Sequence, residues 1–284
     1  VTFDVLAKSR RSARPVELYL FVYGDSLTKY YAYTNGQTPI TYDADDGRGP
    51  IEYQPLAIAR EGVQSSGNLD KSTLEVSVAQ TSELAQEFRV YPPSDVISLF
   101  IRGGHIGDDE FLVVWSGRVL GGTLKDSTCK LACEPIATML RRAGLRRNYQ
   151  LGCPLVLYGE GEGQCNADKV AATMTVLAVS AAGVTLTIPF GWGDGRLYRG
   201  GLVEWDNVDT GAHEIRTILQ IPNGTDLTLN GLARGIVAGT VVTIRKGCNH
   251  LTSDCLNVHN NINNYGGHPF IPTKNPFGQT NNFY

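Results

Sequence analysis

Val16-Glu-Leu-Tyr-Leu-Phe-Val-Tyr23, halted by Gly24-Asp25, is the stretch that decides the fold. Aliphatic and aromatic side chains fill it, which suits a pleated, half-buried surface, and a Gly-Asp pair is turn chemistry. It reads as a β-strand, and the sequence beyond it repeats the theme. In Ser72-Thr-Leu-Glu-Val-Ser-Val78, Leu74, Val76 and Val78 stand two apart and share one face. Val96–Arg102 and Phe111–Leu120 read as a strand pair joined by Gly103-Gly-His-Ile-Gly-Asp-Asp-Glu110. One short helix interrupts them: Ser82 caps Glu83–Arg89, and Pro92-Pro93 forbids continuation.

From about Thr173 strands return, at Met174–Val179, Val184–Ile188, Gly201–Trp205, His213–Gln220, Asp226–Leu229 and Thr240–Arg245. Ala182-Gly183, Asp209-Thr-Gly211 and Pro222-Asn-Gly224 separate some of them as turns. Such short, closely spaced strands predict a small barrel or sandwich. Between the two β-rich parts, Pro135 suits a first helical turn, with Ile136, Met139, Leu140 and Ala143 at helical spacing before Gly144. The expected fold is therefore mainly β, two β-rich barrel or sandwich modules joined by a short helical connector. Its expected parts are a domain over 1–125, a strand-helix connector over 126–152 and a C-terminal domain over 153–284, with a β-module inserted at about 168–246. Asn257–Tyr284 is rich in Asn, Gly and Pro, and is expected to be irregular and to need docking for order.

Composition supports this and narrows the function. The 284 residues fit two domains, and 42% hydrophobic content is enough for real cores. Thirty-two glycines against two methionines favour strands and turns over long helices. A net charge of −3 gives no electrostatic case for nucleic acid or an anionic membrane. No apolar run reaches the roughly 20 residues of a membrane span. Val1-Thr-Phe-Asp-Val-Leu6 lacks the pattern of a secretory leader, so synthesis in a cytosol with reduced thiols is the expectation.

Four of the six cysteines bracket the second β-module as two pairs, Cys153 with Cys165 and Cys248 with Cys255. Strands entering and leaving that module side by side bring the pairs together. Two disulfides, a structural zinc, an iron–sulphur cluster and ordinary buried thiols all remain open on spacing alone. Eleven and six residues intervene within the pairs, unlike a tight C-x-x-C zinc knuckle, and the ferredoxin run is absent. Arg141, Arg142, Arg146, Arg147, Arg245 and Lys246 offer positive charge near four thiolates, or simply a solvated face. His250 is an alternative ligand. Cys129 and Cys133 point to one side of a strand-like stretch and read as buried small hydrophobes.

Around these cysteines the chain resembles a known family. Tyr149-Gln-Leu-Gly-Cys-Pro-Leu-Val-Leu-Tyr-Gly-Glu-Gly-Glu-Gly-Gln-Cys165 and Lys246-Gly-Cys-Asn-His-Leu-Thr-Ser-Asp-Cys255 are similar to the cysteine signatures of phage tail-tip, or baseplate hub, proteins. Asn260-Asn-Ile-Asn-Asn-Tyr-Gly-Gly-His-Pro-Phe-Ile-Pro272 is close to the family's Asn-x-x-Asn-aromatic-Gly-Gly ending. Members occur in lambda-like siphophages and gene transfer agents. The resemblance covers 145–275 closely and 1–125 loosely. It implies a [4Fe–4S] cluster on Cys153, Cys165, Cys248 and Cys255 that staples the C-terminal segment. It also implies a structural virion protein that closes the distal end of the tail tube, made in the host cytoplasm. The implied partners are the distal tail protein ring, the central fibre or tip protein and the tape measure protein, with a homotrimer as the implied assembly.

The remaining motifs carry less. Asp43-Ala-Asp-Asp-Gly47 lacks the closing glutamate of a calcium loop, Gln54 standing there, and reads as a polar turn. Gly159-Glu-Gly-Glu-Gly163 lacks a phosphate loop's Lys-Ser/Thr and reads as a flexible crossing. Tyr30, Tyr31, Trp192 and Tyr198 suit either interfaces or β cores. No nucleophile elbow or H-E-x-x-H is present, so no enzyme is expected. The rival readings are a secreted β-type binding module stapled by disulfides and a zinc or iron–sulphur enzyme.

Overall fold

The computed structural model describes residues 3–9, 13–24, 26–63, 73–89, 92–141, 148–189, 195–222 and 224–271. It divides into two compact units, 1–142 and 143–284. The first holds α1 (Phe3–Ala7), β1 (Pro15–Tyr23), β2 (Tyr30–Thr34), β3 (Ile40–Tyr42), β4 (Ile51–Pro55), β5 (Ile58–Arg60) and β6 (Leu74–Ala79). After them come α2 (Glu83–Glu87), β7 (Ile97–His105), β8 (Leu112–Lys125) and β9 (Thr128–Pro135). The nine strands form one sheet in the order β3-β4-β2-β1-β7-β8-β9-β6-β5. Each pairing is antiparallel except β2 with β4.

This sheet curls on itself. β5 lies five places from β1 in the strand order, about 24 Å across a flat sheet. Yet Arg60 on β5 grips Glu17 on β1, Nη2 to Oε1 at 2.5 Å and Nε to Oε1 at 3.1 Å. Only strong curvature brings those strands to contact distance. β1 is accordingly buried on both faces. Val16, Leu18, Leu20 and Val22 pack with Ile51, Tyr53 and Phe111, while Tyr19 and Phe21 on the other face are fully buried.

Ser82 caps α2 as expected, its hydroxyl accepting from the Ala85 N–H at 3.2 Å, although the helix stops at Glu87 rather than Arg89. On β9, Cys129, Leu131 and Cys133 alternate inward and are completely buried; burial pushes the Cys133 thiol up to about 12. β9 pairs with β6 and β8 inside the first sheet. Pro135 closes that strand opposite Gly117 instead of opening a helix, so the connector begins one residue later, as a 3-10 helix over Ile136–Arg141. Asp43–Gly47 is a polar turn: Asp43 Oδ1 accepts the Asp45 N–H at 2.9 Å, and Asp46 Oδ1 accepts the Arg48 N–H at 3.2 Å.

The second unit carries β10 (Ala171–Thr175), β11 (Ala178–Val179), β12 (Thr185–Thr187), β13 (Leu202–Asp206), β14 (His213–Gln220), β15 (Asp226–Leu229) and β16 (Val241–Arg245). Its sheet order is β10-β16-β13-β14-β15-β12-β11. Val203, Trp205, Ile218, Leu227, Val242 and Ile244 are core residues, drawn from alternate positions of their strands. The turns at Gly183, Gly211 and Gly224 all use positive φ, between 66° and 74°, which glycine adopts without strain. A short helix, α3 (Thr252–Asn257), follows β16.

Tyr31 tests the α2 packing. Its hydroxyl donates to Glu87 Oε1 at 2.5 Å, and both residues are buried. Tyr31→Phe should lower stability by about 1–3 kcal/mol, because a buried carboxylate oxygen loses its donor. An unchanged denaturation midpoint would show that solvent replaces the hydroxyl at that carboxylate.

Candidate metal centre

β10 and β16 are antiparallel neighbours, with Ala171 opposite Arg245 and Thr175 opposite Val241. The chain therefore enters and leaves this module at one edge. Cys165 lies six residues before β10 and Cys248 three residues after β16, so the strand pairing alone sets their segments side by side. The structure places Cys153, Cys165, Cys248 and Cys255 around one pocket enclosing about 350 Å³ of empty space, its mouth included. Leu155, Leu157 and Leu251 give it an apolar wall. All six cysteines are free thiols.

Each ligand-bearing loop is built locally. The Asn249 side chain accepts the Leu251 N–H at 2.8 Å, and Asp254 accepts the Asn249 N–H at 2.9 Å. His250, turned to φ 61°, directs its own N–H at the Cys248 sulphur at 3.3 Å. Its carbonyl accepts the Cys153 N–H at 2.8 Å, which ties the first cysteine loop to the second. Gly159–Gly163 is not a loose crossing. Asn166 accepts the Gly161 N–H at 2.9 Å and donates to the Gly161 carbonyl at 2.8 Å.

Residues 258–271 lace these loops together. Asn261 donates through Nδ2 to the Cys165 carbonyl at 2.5 Å and stands 3.8 Å from its sulphur. The Gly266 N–H points at the Cys153 sulphur at 3.4 Å. Tyr265 donates to the Leu151 carbonyl at 2.7 Å, and the His268 N–H reaches Gln150 at 2.9 Å. Gly266 and Gly267 permit this approach: a Cβ at Gly266 would stand 2.8 Å from Leu155, and one at Gly267 would stand 2.6 Å from the Leu151 carbonyl. The expected irregular tail is thus docked as far as Ile271, and the part of that expectation over 272–284 lies outside the described residues.

Three of the four sulphurs face N–H donors, an arrangement that favours thiolate. Burial opposes it. Desolvation raises the Cys248 thiol, partly countered by the His250 N–H, and Asp254, Cys165 and Cys153 raise it further. Cys255 is pushed up to about 11 by burial and then by its three cysteine neighbours. Four neighbouring thiolates would repel one another in this pocket, and such a donor set suits a cationic centre.

A single ion is a poorer match. Among the described residues no three His, Cys, Asp or Glu groups stand close enough to share one metal ion. A tetrahedral zinc needs sulphurs about 3.8 Å apart, from Zn–S bonds of about 2.3 Å. A polynuclear cluster, with a separate iron for each thiolate, spreads its four ligands more widely than one ion does.

Other expectations are corrected. Arg245 does not offset the sulphurs' charge, because Glu204 holds it through two bonds, Nε–Oε1 at 2.8 Å and Nη2–Oε2 at 2.9 Å. Arg142, Arg146 and Arg147, the side chain of Arg141, and Trp192 lie outside the described residues. Tyr31 is buried, and Tyr30 and Tyr198 pack against core clusters. His250 does line the pocket. So does His259, whose role the sequence did not signal; its Nε2 is bonded to the Gly247 carbonyl at 2.8 Å.

Known proteins place this geometry in context. The family described as "Phage conserved hypothetical protein BR0599" matches residues 196–275, which include Cys248 and Cys255 but neither Cys153 nor Cys165. An uncharacterized protein of Xylella fastidiosa (strain 9a5c) is 26% identical over 187 residues, 62% of this chain; the chain covers only 37% of that relative's length. In the solved virion of a native gene transfer agent particle, one chain is similar with a TM-score of 0.74 at 17% identity, over 96% of this chain and 93% of that one. At that identity the likeness is one of fold.

The Glu204–Arg245 pair anchors the strand leading into the second cysteine loop and makes stability depend on acid. Hydrogen bonding to Arg245 lowers the Glu204 pKa below its ordinary 4.5. Its contribution is complete above 4.5 and is lost as pH falls through the lowered folded value. Glu204→Gln should cost about 1–3 kcal/mol at neutral pH. It should also flatten the acid limb of a plot of urea midpoint against pH; an acid limb as steep as the wild type's would remove the pair from this role.

Proposed function

We propose that this chain is a structural protein of a phage-type virion, a tail-tip hub whose C-terminal unit is stapled by a [4Fe–4S] cluster on Cys153, Cys165, Cys248 and Cys255. The observation that carries the reading is the meeting of those four cysteines at one pocket, with N–H groups directed at three of the sulphurs. The fold likeness to a chain of a gene transfer agent virion, extending over nearly the whole length of both, supports the virion part. The match of residues 196–275 to a phage family supports it independently.

In this reading the chain closes the distal end of the tail tube as a homotrimer. It meets the distal tail ring, the tape measure protein and the central tip protein. The cluster's contribution is a cross-link: bound to all four thiolates, it joins the loop before β10 to the segment after β16. Metal binding then adds directly to folding free energy. The protein's own groups do the rest, with His250, Asn261 and Gly266 donating to sulphur and Leu155, Leu157 and Leu251 excluding water.

Anaerobically purified full-length chain should contain about four irons and four labile sulphides, with broad visible absorbance. Cys153→Ser and Cys248→Ser should lose the colour and leave tails that do not assemble. Cys129→Ala, in the core of the other unit, should keep the iron content. One zinc per chain, or two disulfides by mass mapping, would replace the cluster with a different staple. Normal infectious particles from Cys248→Ser would remove its role in assembly.

A further inference from the structure

The curled sheet of the first unit holds a second pocket, far from the cysteines in sequence. Its cavity volume is about 270 Å³, room for a small anion rather than a drug-sized ligand. Ser98, Phe100 and Arg102 line it from alternate positions of β7, Val22 from β1, and Arg48 from the turn before β4. Arg102 is only 9% exposed.

Two guanidinium N–H groups here want an acceptor, although Arg48 already donates through Nη1 to Asp46 and through Nη2 to the Ser26 carbonyl. Arg102 Nη1 and Arg48 Nε are buried without a hydrogen-bond partner among the described residues; the fully buried Tyr53 hydroxyl stands beside Arg102, whose charge and hydrogen bonding lower its pKa against the rise from burial. Among the described residues Arg102 has no ion-pair partner; its guanidinium lies over the Tyr42 ring at 5.8 Å. Asp46 is the one carboxylate in the lining among the described residues, and it is committed to Arg48 at 2.9 Å. Asp95 borders Gly24 at the rim. Burying a guanidinium without a counter-charge is costly, and an arginine fork is shaped for an oxyanion.

We infer that this pocket binds an oxyanion, a phosphate or a carboxylate, through Arg102 and Arg48. The shared chemistry is negative charge on two or more acceptor oxygens. Two sources carry it: free phosphate, or an acidic side chain presented by a neighbouring protein. The wall formed by Val22 and Phe100 lowers the local dielectric and strengthens the contact. The inference stands on the first unit alone and is independent of the cysteine centre.

Titration calorimetry of the full-length chain with inorganic phosphate, and separately with glutarate, tests it at fixed ionic strength. One saturable site per chain is expected. Binding should weaken at least tenfold in Arg102→Gln and also in Arg102→Lys, which keeps the charge but loses the fork. Arg48→Gln, at the pocket mouth, gives a second measurement should the Arg102 variants fail to fold. Tighter phosphate binding points to the free ion, and tighter glutarate binding to a partner's carboxylate. No saturable binding of either probe, or binding unchanged in Arg48→Gln and Arg102→Gln, overturns the site and leaves those donors to water.

Discussion

The antiparallel pairing of β10 with β16 is the constraint on which the cysteine pocket depends. Five residue pairs, from Ala171 opposite Arg245 to Thr175 opposite Val241, hold the two ends of the module together. Positions 66 to 74 residues apart in sequence thereby become neighbours before any thiol is involved. Everything between the two strands is free to be a self-sufficient core, and it is one: the cluster around Val203, Trp205, Leu227 and Ile244 closes without a cysteine. The same edge must carry the loops that leave it, and their backbone is secured by bonds such as Tyr158 hydroxyl to the Lys246 carbonyl at 2.7 Å.

That separation bears on what a staple can contribute. Loop-closure entropy is the usual reward for cross-linking distant residues. Here strand pairing has already met most of that cost between 165 and 248. What remains to be ordered is the irregular chain from Gly247 to Ile271, of which only α3 and the single 3-10 turn at Ile262–Asn264 are regular. Its order rests on side chains reaching to backbone, Asn261 to Cys165 and Tyr265 to Leu151, from half-buried positions. A cross-link at Cys153, Cys165, Cys248 and Cys255 therefore acts on the least self-supporting part of the unit, where a given energy changes the structure most.

The sequence was legible where period and burial agree. β1, β14 and β15 follow from apolar content or alternation, and so does the inward row Cys129, Leu131 and Cys133. β3 and β5, three residues each, leave no period to detect, and their existence depends on partners far along the sheet. α3 was equally silent. Thr252-Ser-Asp-Cys-Leu-Asn257 has neither strong helix formers throughout nor an apolar stripe, and it forms where Asn249 and Asp254 bind the turn before it. The cysteines could be paired off from their position around a strand-rich module. The donors facing them could not, because two are main-chain N–H groups, aimed by a positive φ at His250 and by close glycine packing at Gly266, and the third is Asn261 Nδ2 from an irregular segment.

The two units handle buried charge in contrasting ways, and the contrast shows what each pocket is built for. Near the cysteines Arg245 is bound to Glu204 and to the Lys169 carbonyl, and neutral N–H groups face three of the sulphurs. Neutral donors lower the cost of thiolate without cancelling its charge, so the site keeps an excess of negative potential for a cationic centre. In the first unit the order reverses. Donors outnumber acceptors around Arg102, Tyr53 and Arg48, and the one lining carboxylate is already bonded. Each pocket holds groups that its own chain leaves incompletely matched, thiols at the cysteines and a guanidinium at Arg102. A chain under pressure only to be stable would replace such groups with apolar side chains of similar volume, because mismatched burial opposes folding. Their presence at two separate pockets is the physical ground on which the two proposed sites rest.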